Sequence, residues 1–175
     1  MKIRVLIFTL VLFLFIGVAP LSALAANSTP FTLDAPKNLT VELKYDQNNW
    51  PYFAITMDVP EDVQSINKNL NENSGYYPGT NCSPIKIRFE SKYRNYDWNQ
   101  GPSLYDITEM SVDDLLGGNA FAYYPYEKED AHGGINLKAE VYTIRACFYS
   151  SWGYVDSFID KEVTSNYSDL VTLGN

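Results

Sequence analysis

The side chains best suited to chemistry are one histidine, two cysteines and two groups of carboxylates. His132 precedes Gly133-Gly134 and follows Glu127, Glu129 and Asp130. A Ser-His-Asp or Cys-His site would have to use this histidine. A lone histidine between an acidic run and two glycines reads instead as a surface-loop residue. One histidine cannot supply an H-E-x-x-H pair, and Cys82 and Cys147, with 64 residues between them, make a poor zinc set. Asp113-Asp114 is the second acidic group. Oxygen-rich loops can hold calcium, but neither group has the spacing of an EF-hand loop, so solvated acidic loops are expected. A glycosidase-type carboxylate pair needs a cleft, and nothing in the pattern indicates one. The expectation is a chain that is not an enzyme and carries no cofactor and no metal.

The N-terminus says where such a chain would work. Lys2 and Arg4 precede an apolar run, Val5 to Ala19, which Pro20 ends before Ala23-Leu24-Ala25. A charged start, an apolar stretch and small residues at an A-x-A site read as a signal peptide over residues 1–25. The 15-residue run is short for a membrane span, which needs about 20. An uncleaved anchor is the alternative. After cleavage no membrane span is expected, and the protein should be secreted or held at the cell surface. Lys2 and Arg4 go with the leader, leaving 11 basic against 21 acidic residues, a net charge near −10. That balance argues against nucleic acid, which needs cationic contacts. The remaining 150 residues suit one domain. An even cysteine count in an exported chain suggests a Cys82–Cys147 disulfide, worth about 4 kcal/mol in the chain-entropy model. Two free thiols are the alternative.

The elements that would position these groups are mostly strands. Residues 26–37, with Pro30 and Pro36, read as an extended leader to a domain spanning 38–175. Leu39, Val41, Leu43 and Tyr45 alternate with polar neighbours, as do Phe53, Ile55, Met57 and Val59 beyond a turn at Asn48-Asn49-Trp50-Pro51. Val63, Ile66 and Leu70 then predict a short helix with an acidic first turn. The cleanest alternation follows, with Ile85, Ile87 and Phe89 inward and Lys86, Arg88, Glu90 and Lys92 outward. Tyr96 and Trp98 suggest a short strand. Ser111-Val112-Asp113-Asp114 and Gly117-Gly118 bracket a second helix. An aromatic strand is expected within 120–126, then a long β region through Tyr142, Ile144, Ala146 and Phe148, and a last strand at 170–173. Short alternating strands separated by turns indicate an all-β antiparallel sandwich, with the helices as loop insertions.

Several of these segments carry a resemblance. Pro36-x-Asn38-Leu39-x-Val41, Met57-x-x-Pro60, Ile85 to Tyr93 with Trp98, Leu137 with Tyr142-Thr143-Ile144-Arg145-Ala146, and Ser165 to Leu173 together resemble a fibronectin type III domain, an immunoglobulin-like sandwich. Met57 stands where that family usually has Trp. The resemblance implies that Tyr142 is a structural, buried tyrosine whose hydroxyl meets a backbone group of the preceding loop. It also places Cys82, before the third strand, near Cys147, late in the sixth, and so rationalises the bridge.

Tyrosine contributes 14 residues, and aromatic residues make up 15% of the chain, enough to furnish a contact surface as well as a core. Tyr76, Tyr77, Tyr124 and Trp152 fall in or near expected loops, where binding usually resides, and are the candidate ligand contacts. Covering the helical insertions is their other possible role. The expected function is an exported, non-catalytic adhesion or protein-interaction module at the cell envelope or outside the cell. A carbohydrate-binding module using loop aromatics is the alternative. The partner would be an extracellular or cell-envelope protein, or a polysaccharide.

Overall fold

A computed structural model describes residues 29–100, 109–124, 137, 141–156 and 161–174. In chain order the elements are β1 (Lys37–Tyr45), β2 (Pro51–Asp58), α1 (Glu61–Glu72), β3 (Tyr76–Tyr77), β4 (Thr80–Cys82), β5 (Lys86–Tyr93), β6 (Glu109–Ser111), α2 (Val112–Leu116), β7 (Phe121–Tyr123), β8 (Tyr142–Tyr154), β9 (Lys161–Thr164) and β10 (Val171–Leu173). The fold is all-β and antiparallel, in two sheets. The smaller has the order β1-β2-β7. The larger is built on β8. One edge of β8 pairs with β5 along Tyr142–Tyr149 and then with β4 along Trp152–Tyr154. Its other edge pairs with β10 at Tyr142–Ile144 and with β9 at Tyr149–Trp152. β6 extends the sheet beyond β5, and β3 beyond β4.

The core forms where alternation turns both sheets' apolar side chains to one space. Ile87 and Phe89 of β5, and Tyr142, Ile144, Ala146 and Phe148 of β8, are all buried, as is Ile85 just before β5. Phe89 stacks on Phe121 at 4.5 Å, and Phe53 meets Tyr142 edge-on at 5.5 Å, so the two sheets lock through rings. The Tyr123 hydroxyl, buried among these rings, shares a 2.6 Å hydrogen bond with Ser91, which meets the need of a buried phenol for a partner. The segment expected as a leader is already part of this packing, since Phe31, Leu33 and Pro36 are buried.

The two breaks along β8 are bridged by serines. On one edge Pro84 has no amide to donate. The Ser83 amide donates to Ser151 O at 2.8 Å, and its hydroxyl oxygen accepts the Ser151 amide at 3.0 Å. On the other edge, between β9 and β10, the Ser165 amide donates to Phe148 O while its Oγ accepts the Phe148 amide at 2.9 Å. Ser168 does the same with Ala146, its Oγ accepting the amide at 3.0 Å. Each side chain thus replaces a ladder bond that no strand supplies.

α1 forms as the spacing of Val63, Ile66 and Leu70 predicts, with Asn67 also buried. α2 begins at Ser111, whose Oγ accepts the Asp114 amide at 3.0 Å, a side-chain N-cap. Tyr96 and Trp98 lie in a turn instead of a strand. Glu90, expected outside, is buried, because Arg145 on the neighbouring strand neutralises it.

The expected Cys82–Cys147 disulfide is not formed, and both thiols are free and buried. Cys82 stands opposite Trp152, and Cys147 opposite Arg88, five positions away along β8. An odd separation puts them on opposite faces of the sheet, about 16 Å apart at the rise of a strand. A disulfide needs Cα atoms within about 7 Å. A strand ending at Phe148 would set the two cysteines at neighbouring strand ends, whereas β8 runs on to Tyr154 and Cys82 pairs with that extension.

Candidate binding surface

The β1–β2 hairpin turns on Asp46. Its Oδ1 accepts the amides of Asn48 at 2.8 Å and Trp50 at 3.0 Å, an Asx-type closure. Backbone bonds from the Asp46 amide to Trp50 O and from the Asn49 amide to Asp46 O, both 2.9 Å, complete the turn. Asn49 takes φ +60°, a left-handed conformation that asparagine tolerates. The second carboxylate oxygen leaves the hairpin and accepts the Tyr124 hydroxyl at 3.2 Å. One aspartate therefore shapes the turn and fixes a ring delivered by another strand. Burial first, and then this carboxylate, push the Tyr124 phenol up to about 12.

Register sets what surrounds that ring. Phe53 pairs with Tyr123 and faces the core, so Tyr52 lies on the outer face, while Tyr124, just beyond the strand, is half-buried and packs against the core as well as against Tyr52. Their ring centroids are 5.3 Å apart, tilted by 32°. Lys44 pairs with Tyr52 across β1, and the next row is Glu42, Ala54 and Ala122. Lys44 and Glu42 form an ion pair at 3.2 Å, and the Thr40 and Thr56 hydroxyls meet at 2.6 Å. The outer face thus carries Tyr52, a buried Ala54 and an exposed Ala122, with a charge pair and hydroxyls along it. Tyr45 at the hairpin tip is 51% exposed, and Trp50 is half-buried.

The outer face of the larger sheet is built differently. The Arg145 guanidinium lies 3.9 Å from the Trp98 ring and 3.7 Å from the Tyr167 ring. Two rings that close must take opposite faces of a planar group. Its edge bonds Glu90 Oε2 through Nε at 2.8 Å and Nη2 at 2.6 Å, while the Tyr167 hydroxyl donates to Glu90 Oε1 at 2.9 Å. Arg88 makes a two-pronged pair with Glu162, at 3.0 and 2.8 Å, and lies 4.2 Å from the Tyr149 ring. Lys86 bonds Glu109 at 3.0 Å. These pairings hold the Glu109 and Glu162 carboxyls below their usual range, the first mainly through Tyr149 and the second mainly through Arg88. Cys147 lies beneath this layer, its thiol pushed up to about 11 by burial, and burial also raises Cys82. Thiols so raised are protonated near neutrality and poor nucleophiles. This face spends its aromatic rings on its own arginines.

The expected contact residues do not converge. Tyr76 is exposed on β3, but Tyr77 packs against the core with Phe31 at 5.1 Å. Trp152 is in β8, not a loop, and only 3% exposed, with Lys161 over its ring at 4.8 Å. Among the described residues its indole N–H has no hydrogen-bond partner. It cannot stack on an external ligand. Tyr124 alone of the four joins the Asp46 surface, and Tyr142 is buried against Phe53 and Tyr93. Asp46 and Tyr52 were missed because the stretch reads only as a turn. The available signal was an aspartate two residues before an asparagine, closing a turn next to alternating aromatics. Asp113 accepts from Asn67 at 2.9 Å and Asn71 at 2.8 Å, so it is committed within the fold. The acidic run beside His132, and the segment expected to be a signal peptide, lie outside the described residues. Among the described residues no three His, Cys, Asp or Glu side chains are grouped to hold a metal, and no helix is long and apolar enough to cross a membrane.

Comparison with family models, with curated proteins and with solved structures finds no match.

Proposed function

We propose that the protein is an exported, non-catalytic module that binds a protein partner at the cell envelope or outside the cell. The observation that carries this reading is the Asp46-ordered hairpin with its aromatic side chains, set on a framework whose thiols and arginines are engaged internally. Rigid tyrosine and tryptophan side chains give contact area at low entropic cost. A fibronectin type III-like build is part of the proposal. Its support is the three-strand sheet β1-β2-β7 packed on a sheet in which β6, β5 and β8 are consecutive and β9 and β10 lie beyond. The test is binding of labelled mature protein to the surface of the producing cells. Protease treatment of those cells should abolish binding, and mild periodate oxidation of their glycans should not. Sequencing the N-terminus of the exported protein, expected at Ala26, checks the leader.

A second reading, a carbohydrate-binding module, is favoured by one observation, the half-buried, tilted Tyr52–Tyr124 pair beside the β1–β2 hairpin. Loss of cell binding to periodate and not to protease would select it.

A further inference from the structure

We infer that the open edge of β1 pairs with the same edge of a second copy of this chain. The contact is antiparallel and two-fold symmetric, with Leu43 on the axis and Glu42 of each copy facing Lys44 of the other. The inference is independent of the function proposed above. β1 is the first strand of the smaller sheet, with β2 on one side and, among the described residues, no strand paired on the other. β10 of the larger sheet comes close to β1 but pairs with β8. An open edge is a row of unpaired amides and carbonyls, and folded proteins often blunt it by keeping the strand short. The other outlying strands follow that rule. β3 has two residues, β6, β7 and β10 have three each, and β9 has four. β1 has nine.

Geometry and charge together select the occupant and its register. An irregularity between Lys37 and Thr40, with Asn38 at φ +51°, ends the regular edge on one side, and the turn at Asp46 ends it on the other. The Asp46 amide bonds Trp50 O across the hairpin. By alternation the backbone groups of Thr40, Glu42 and Lys44 point to β2, and those of Val41, Leu43 and Tyr45 point out of the edge. A two-fold axis at Glu42 or at Lys44 would set two like charges directly opposite each other, which is unfavourable. An axis at Val41 carries the pairing into the irregular segment, and one at Tyr45 carries it into the turn. An axis at Leu43 sets Glu42 against Lys44 twice, Val41 against Tyr45 twice, and Leu43 against itself. The edge is thus complementary to its own copy, as an isologous contact requires. Glu42 and Lys44 are 69% and 49% exposed and stand ready to face a second copy. Val41 and Leu43 are half-buried and Tyr45 is exposed, so the second strand also covers apolar surface. The contact is small and belongs with weak interfaces, those burying less than about 1,200 Å².

The experiment is sedimentation equilibrium of the full mature protein up to about 1 mM, a concentration that populates even a weak complex. Wild type should pass from monomer to dimer and no further, because the pairing uses up the open edge of each copy. Glu42→Lys and Lys44→Glu each set like charges opposite one another at both ends of the contact. Each should weaken dimerisation about tenfold. An equimolar mixture of the two variants brings opposite charges together again and should associate as wild type does. The chain carrying both substitutions should do the same. Leu43→Cys, on the axis, should give a covalent dimer on mild oxidation, and Thr40→Cys should not. Both native thiols are buried, so the linkage reports the new site. Circular dichroism establishes that each variant is folded, and the two charge reversals lie on exposed side chains. A wild type that stays monomeric throughout would overturn the inference and assign the edge, if it is used, to a strand of another protein. Dimerisation that neither charge reversal weakens would overturn this edge as the contact. Failure of both the mixture and the doubly substituted chain to recover association would overturn the register.

Discussion

Asn67, in the middle of α1, accepts the backbone amide of Ile85 on its side-chain oxygen at 2.9 Å. Its amide nitrogen donates to Asp113 Oδ1 at 2.9 Å, so one buried asparagine joins a helix, the approach to β5 and the start of α2. Asn67→Ala should therefore leave the Ile85 amide buried and unpaired. A loss of about 1–3 kcal/mol is expected for each group so stranded. Urea denaturation measures it. Asn67→Asp should be worse than a neutral isostere, because it sets a second carboxylate against Asp113, and the excess should shrink in acid.

Ser165 and Ser168 should matter beyond their size. Ser165→Ala and Ser168→Ala each strand one buried β8 amide, at Phe148 and Ala146, with an expected cost of about 1–3 kcal/mol. Hydrogen exchange should report the change locally, with loss of protection at the amide that the missing hydroxyl had served.

Both cysteines should behave as free, slow thiols. A thiol reagent at mildly alkaline pH should label neither in the native protein and both after denaturation, since each is buried with a raised pKa. Reducing agent should leave the urea midpoint where it is. A midpoint that falls on reduction would contradict the separation of the two residues across the sheet.

Arg145→Lys should not be conservative. Lysine keeps the charge but loses the planar group held between Trp98 and Tyr167 and the double bond to Glu90. Arg145→Ala should cost more, because it leaves the largely buried Glu90 without a cation, a change that typically costs about 3–5 kcal/mol at fully buried pairs. Adding Glu90→Gln to Arg145→Ala should recover part of the loss, and a double-mutant cycle reads the coupling.

Stability should fall at both ends of the pH scale. Glu109 and Glu162 have depressed folded pKa values, so their contribution is complete above the ordinary 4.5 and is lost as pH falls through the folded values. Tyr149 and Tyr167 have raised folded values, that of Tyr167 about 12, because burial and carboxylate partners favour the neutral phenol. Their contribution is complete below pH 10 and is lost as pH rises through the folded values. Melting temperature against pH should fall below about 4.5 and above about 10. Glu162→Gln should flatten the acid limb.

The strands that alternate strictly could be read directly. β5, and β8 as far as Phe148, bury the residues their period assigns, and the Ser111 cap and the α1 face follow from local chemistry. What escaped depends on distant partners. Glu90 is buried because Arg145, 55 positions away, neutralises it. β9 is four residues of mixed polarity that become a strand only by pairing with β8. β3 and β4 are made of turn formers and form against the unforeseen extension of β8. That extension reverses the relation of the two cysteines and takes Trp152 inside. The Asp46 surface escaped for the same reason, since the carboxylate that closes a local turn also holds a tyrosine from β7's end, 78 positions on.

The place of β8 in the chain has a consequence for how the protein is made. β5 meets its longest partner through pairs such as Lys86 with Tyr149, and β4 is tied to the same strand through Thr80 with Tyr154. Until β8 emerges, the nascent chain can pair β1 with β2, β2 with β7, β3 with β4 and β5 with β6, but the larger sheet has no strand to join its parts. Contacts so distant in sequence make for slow, late acquisition of structure, in the range of milliseconds to seconds for all-β domains. A chain lacking the segment from Tyr142 onward should stay protease-sensitive on the ribosome. The first four-fifths of the chain would thus wait, its larger sheet unassembled, for the strand that organises it.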